Sequence, residues 1–203
     1  MAKSKKILNF PTVLTIVRMI LVVPFLICLL GGWYVCEQYI NGSACPAGAT
    51  EAQMPLYVLA LVIFIFAALT DKIDGDYARK HKQVTDLGKF LDPLADKMLI
   101  NSAFLAFVVM GVMPFWMLVV ILWRDFAVDG MRMMVAAKGE VVAASIWGKA
   151  KTMTQMVTLV LLLLNLILEN VTLTVIGLVL MYVVVILTVF SGVDYLVKGM
   201  KKI

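Results

Sequence analysis

Four aspartates, Asp71, Asp74, Asp92 and Asp96, stand at spacings that could assemble one site. Asp71 and Asp74 are three residues apart, with Gly75 beside the second, and Asp92 and Asp96 are four apart. Residues at i, i+3 and i+4 share a face of a helix, so each pair points one way from its own helix. A short polar turn between the pairs makes the two helices antiparallel neighbours, and the four carboxylates can converge. Ionisable groups at a membrane boundary are costly and usually functional, and gathered carboxylates repel unless cations neutralise them. Oxygen donors without His or Cys suit Mg2+ or Mn2+ rather than zinc. Two such ions bridged by carboxylates clamp a phosphoryl group during displacement. The expected cofactors are therefore two Mg2+ or Mn2+ ions. Gly75 and Gly88 leave room for a bulky group such as a nucleotide, and Arg79 offers a forked donor to phosphate. Asp76 and Asp86 fall off the shared faces and read as solvated. The competing arrangement, a solvated loop pairing its aspartates with Lys72, Lys80, Lys82 and Lys89, requires neither the helical register nor the glycines.

These residues must be carried by membrane helices. Of 203 residues, 63% are hydrophobic, whereas a soluble chain is about half apolar. Crossing a hydrocarbon core takes about 20 apolar residues, and six spans are expected: 11–31, 55 into the charged stretch, 89–110, 115–135, 152–168 and 173–197. Pro11 suits a first turn and Gly31-Gly32 a stop. The segments 33–54 and 136–151 read as polar connections, 111–114 and 169–172 as tight turns. With the N-terminus inside, the inner segments and helix ends hold all 18 Lys and Arg residues. The outer segments carry only Glu37, Glu51 and Glu169. That follows the positive-inside rule. The expected fold class is all-α: a polytopic membrane protein of six transmembrane helices, both termini cytoplasmic, in one domain over 1–203.

Several other readings fall away. The net charge of +5 is not a nucleic-acid signal, because aromatics do not interleave with the basic residues. Lys3, Lys5 and Lys6 before an apolar run resemble a signal peptide, but Arg18 interrupts the run and no small-residue cleavage site follows. Cys28 falls inside a span. Cys36 and Cys45 share one outer loop, where an oxidising compartment would allow a disulfide. Asn41 and Asn170 begin short sequons of little weight. "GKAKT" lacks the first glycine and the strand of a phosphate-binding loop. His81, the only histidine, reads as solvated in the turn, and the methionine-rich run at 131–134 as packing.

The complete pattern, Asp71-x-x-Asp74-Gly75-x-x-Ala78-Arg79, eight residues, then Gly88-x-x-x-Asp92-x-x-x-Asp96, resembles the signature of the CDP-alcohol phosphotransferases. The resemblance implies six transmembrane helices, a homodimer and a two-metal site open to the cytoplasm. It also implies a CDP-linked donor, an alcohol acceptor and CMP as the leaving group. Asp71, Asp74, Asp92 and Asp96 would hold metal, with Asp92 and Asp96 catalytic and Asp96 the base on the acceptor hydroxyl. Gly75, Ala78 and Gly88 would admit the cytidine, with Arg79 on the diphosphate.

Further segments, "NFPTVLTIVR" (9–18), "DLGKFLDPLADK" (86–97), "RDFAVDGMR" (124–132), "GKAKTMTQ" (148–155) and "SGVDYL" (191–196), are similar to bacterial members of that family that take glycerol 3-phosphate. The implied partners are CDP-diacylglycerol and glycerol 3-phosphate, and the implied location is the inner (cytoplasmic) membrane with the site facing the cytoplasm. A dianionic acceptor needs cations beyond the metals. Arg18, Arg124, Arg132, Lys149 and Lys151 are expected to supply them, unless they serve as positive-inside anchors that snorkel to headgroups. Lys138, Lys198, Lys201 and Lys202 read as anchors. The alternatives are another acceptor (inositol phosphate, serine or phosphatidylglycerol) or, from a different class, a divalent-cation transporter. The transporter would place its carboxylates near the bilayer midplane, not at the inner helix ends.

Overall fold

The computed structural model describes residues 10–39, 47–81, 86–137 and 146–200, with side chains at 12–35, 51, 53–70, 94–135 and 146–200. Among the described residues the chain is all-helical. The order is α1 (Phe10–Tyr39), α2 (Ala47–His81), α3 (Asp86–Val109), α4 (Phe115–Ala137), α5 (Ile146–Leu168) and α6 (Val171–Met200). Four stretches are long and apolar enough to cross a membrane: Thr12–Val35, Gln53–Thr70, Ile146–Leu168 and Val171–Met200. Their outer sides bear large apolar residues such as Ile20, Ile27, Val62, Phe66 and Phe190, all exposed. A water-soluble protein seldom exposes so continuous an apolar surface, whereas helices satisfy their own backbone and can present it to lipid. The protein is a membrane protein.

The chain divides into two compact units, Met1–Ala106 and Phe107–Ile203. In the first, α1 packs along α2. Its buried apolar residues include Val22, Phe25 and Leu29 of α1, Tyr57, Ala60, Phe64 and Ala67 of α2, and Ala95, Leu99, Ala103 and Phe104 of α3. The Phe25 and Phe64 rings meet with centroids 5.8 Å apart.

Several expected boundaries are corrected here. Gly31-Gly32 does not stop α1, which runs on to Tyr39. Gly32 instead marks the approach of α2: a Cβ there would lie 2.7 Å from Tyr57 Cε1. Small residues let membrane helices come this close. Span two does not begin at Pro55. α2 starts at Ala47 and carries Pro55 inside it, because "AGATEAQM" is rich in helix formers and membrane helices tolerate an internal proline. The expected loop 33–54 is thus mostly helix. The side chains of Cys36 and Cys45 lie outside the described residues, as does Asn41, while Cys28 is a buried free thiol.

In the second unit α6 packs against both α4 and α5. Gly177 admits Leu162, and Gly199 admits Met131. The turn after α3 forms as expected. Gly111 takes φ 73°, and Val112 and Met113 donate their N–H groups to Phe107 O at 3.0 and 3.2 Å, closing the helix with a left-handed cap. The turn at Glu169-Asn170 also forms. Asn170 Oδ1 accepts from Thr172 N at 2.8 Å and caps α6. The connection expected over 136–151 is corrected: α5 begins at Ile146, so "GKAKT" is helical.

Candidate active site

Helix α2 continues five residues past the apolar span's end at Thr70 to Gly75 and onward to His81, so the backbone of Asp71, Asp74, Gly75, Ala78 and Arg79 lies on one unbroken helix. Gly88, Asp92 and Asp96 likewise lie on α3. The i, i+3, i+4 and i+7 spacings are therefore true helical spacings, all within the first unit. His81, expected in a turn, is instead the last residue of α2. Asp96 is half-buried next to fully buried Ala95, three residues before buried Leu99. The side chains of Asp71, Asp74, Gly75, Ala78, Arg79, Gly88 and Asp92 lie outside the described residues. Among the described residues no group of three His, Cys, Asp or Glu side chains gathers to hold a metal. The donor chemistry fits hard divalent ions: four carboxylates in helical register, with neither His nor Cys.

Of the expected acceptor-binding cations, Arg18 belongs to the first unit. It is 2% exposed on α1, one helical side with buried Thr12 and Thr15. The other four belong to the second unit, and three of them are tied together. Arg124 and Arg132 leave α4 two turns apart and both reach one ring of α6. Their guanidinium carbons stand 5.7 and 4.9 Å from the Tyr195 centroid, within cation–π range. Arg132 Nη2 also donates to Tyr195 Oη at 2.6 Å. On α5, Lys151 Nζ donates to Asp125 Oδ1 at 2.5 Å, and Arg124 Nη1 donates to the same oxygen at 3.0 Å. Lys151 and Asp125 are both buried, while Lys149 and Arg132 are exposed. Gly192 provides the space beside this cluster: a Cβ there would lie 2.9 Å from Arg124 Cγ.

The cluster links three cations through one carboxylate and one tyrosine ring. Asp125 and Tyr195 were not among the expected site residues. A signal for Asp125 existed: an acidic residue next to Arg124 in an apolar helix needs a partner inside the protein. Tyr195 lay within "SGVDYL", but its place under two arginines follows only from how α6 packs on α4.

The chain matches the family model described as CDP-alcohol phosphatidyltransferase over residues 8–190. It is 39% identical over 192 residues to the CDP-diacylglycerol–glycerol-3-phosphate 3-phosphatidyltransferase of Bacillus subtilis, covering 94% of this chain and 95% of that one. It is 35% identical over 202 residues to a probable phosphatidylglycerophosphate synthase of Mycobacterium tuberculosis, covering 100% and 87%. The Haemophilus influenzae protein with the same name as the Bacillus one is 34% identical over 193 residues, covering 93% and 91%.

Proposed function

We propose that this chain, which belongs to the CDP-alcohol phosphatidyltransferase family, transfers a phosphatidyl group from CDP-diacylglycerol to glycerol 3-phosphate, giving phosphatidylglycerophosphate and CMP. The observation that carries this reading is the aspartate signature, which the sequence writes at helical spacing and which falls on the continuous helices α2 and α3. The acceptor is supported by the names of the relatives and by the cationic cluster Arg124–Arg132–Lys151.

In the proposed reaction Asp96 takes the proton of the acceptor C1 hydroxyl. The freed oxygen attacks the phosphorus next to diacylglycerol, a new P–O bond forms, and the bond to the bridging oxygen breaks so that CMP departs. Two Mg2+ or Mn2+ ions held by Asp71, Asp74, Asp92 and Asp96 would neutralise charge on the diphosphate. Gly75, Ala78 and Gly88 make room for cytidine, and Arg79 binds the diphosphate. Arg18, Arg124, Arg132, Lys149 and Lys151 take the acceptor phosphate. Positioning and charge neutralisation supply most of the catalysis.

The wider proposal is one functional domain of six spans over 1–203, working as a homodimer in the cytoplasmic membrane. All 18 basic residues then lie on the inner side, where the site opens. Purified protein in vesicles with CDP-diacylglycerol, Mg2+ and labelled glycerol 3-phosphate should release CMP in step with lipid-soluble label. Asp96→Asn should lower this at least about a thousandfold, as loss of a base that also holds charge would, with the protein still folded. Full activity of Asp96→Asn would remove the carboxylate mechanism, and divalent-metal flux without CMP release would favour a transporter.

A further inference from the structure

We propose that Asp125 is a positioning residue for the acceptor: it fixes Arg124 so that the side edge of that guanidinium meets the acceptor phosphate. The proposal rests on the reading of Arg124 as an acceptor-phosphate ligand. Asp125 is 6% exposed and Lys151 2%, and one oxygen, Oδ1, accepts from both Lys151 Nζ and Arg124 Nη1. A buried ion pair is a poor source of stability, since apolar residues of similar volume serve as well or better. Its retention here calls for another role. Arg124 supplies one. Its Nη1 is occupied by Asp125, while its Nε is buried without a hydrogen-bond partner. Buried donors are normally paired, and Nε with Nη2 forms the edge that binds phosphate through two parallel hydrogen bonds. The ring of Tyr195 and the space over Gly192 confine the same side chain from α6. Asp125 thus selects which edge of Arg124 is left for an anion, and holds the Lys151 charge beside it.

The test is steady-state kinetics of the full-length protein in mixed micelles, varying glycerol 3-phosphate and CDP-diacylglycerol separately. Asp125→Asn is expected to raise KM for glycerol 3-phosphate about tenfold or more, in line with loss of a well-placed charged contact, and to leave KM for CDP-diacylglycerol within about twofold. An unchanged acceptor KM, or equal rises in both, overturns the proposal. Should Asp125→Asn not accumulate folded, Asp125→Glu keeps the charge but displaces Arg124 by one methylene. It is expected to raise the acceptor KM severalfold with thermal stability near that of the parent, and a parental KM overturns the proposal. Arg124→Gln separates the two claims. If it leaves the acceptor KM unaltered, the underlying assignment of Arg124 fails. If it raises KM while both Asp125 variants do not, only the role of Asp125 fails.

Discussion

Lys149 and Lys151 are two residues apart on α5 and carry the same charge, yet they sit in opposite environments. Lys151 is buried against Asp125, while Lys149 is exposed. Removing one partner of a buried pair leaves an uncompensated charge and costs about 3–5 kcal/mol, whereas an exposed substitution usually stays within about 0.5 kcal/mol. Lys151→Met should therefore lower the thermal midpoint clearly and Lys149→Ala should not, measured by scanning fluorimetry in detergent. Equal shifts would contradict the buried pair. Legibility divides the same way at this scale. The helical register of Asp71, Asp74, Asp92 and Asp96 could be read because helical spacing is written in the sequence. The roles of Asp125 and Tyr195 depend on which helix packs on α4, and spacing along one helix says nothing of that.

Helices were legible as hydrophobic runs, and their ends much less so. Gly111 and Asn170 were readable as turn residues because each satisfies a local backbone requirement: a positive φ at Gly111 and an oxygen cap at Asn170. Gly31-Gly32 misled for a physical reason. A glycine pair weakens a helix locally, but Gly32 is kept there by a neighbour, the Tyr57 ring. The two glycines therefore predict different outcomes. A side chain at position 32 must displace Tyr57, and overpacking costs about 1–3 kcal/mol. Position 31 has nothing within 4 Å. Gly32→Val should reduce stability measurably, whereas Gly31→Val should leave it unchanged or slightly raised, since valine is a better helix former than glycine, as read from thermal midpoints. The reverse order would refute the close crossing of α1 and α2.

For the molecule as a whole, composition was decisive about class: 63% apolar residues with large apolar side chains exposed along the helices leave a membrane as the natural solvent. Four spans satisfy length and apolarity outright. Helix α4 carries Arg124, Asp125, Asp129 and Arg132 from near its middle onward, so composition alone judges it poorly, because charges that pair inside the protein count as if they met lipid. The charge asymmetry predicts that both termini are cytoplasmic. Reporter tags fused at each terminus should both be accessible only from the cytoplasmic side, and one tag on each side would overturn the even number of spans. The acceptor is the least legible feature of all, since the aspartate register serves any alcohol and only the basic cluster discriminates. The most direct measurement is CMP release by the purified protein from CDP-diacylglycerol and Mg2+ across a panel of acceptors. Glycerol 3-phosphate should support turnover while serine, inositol phosphate and phosphatidylglycerol support little, and efficient turnover with one of those but not with glycerol 3-phosphate would contradict the account.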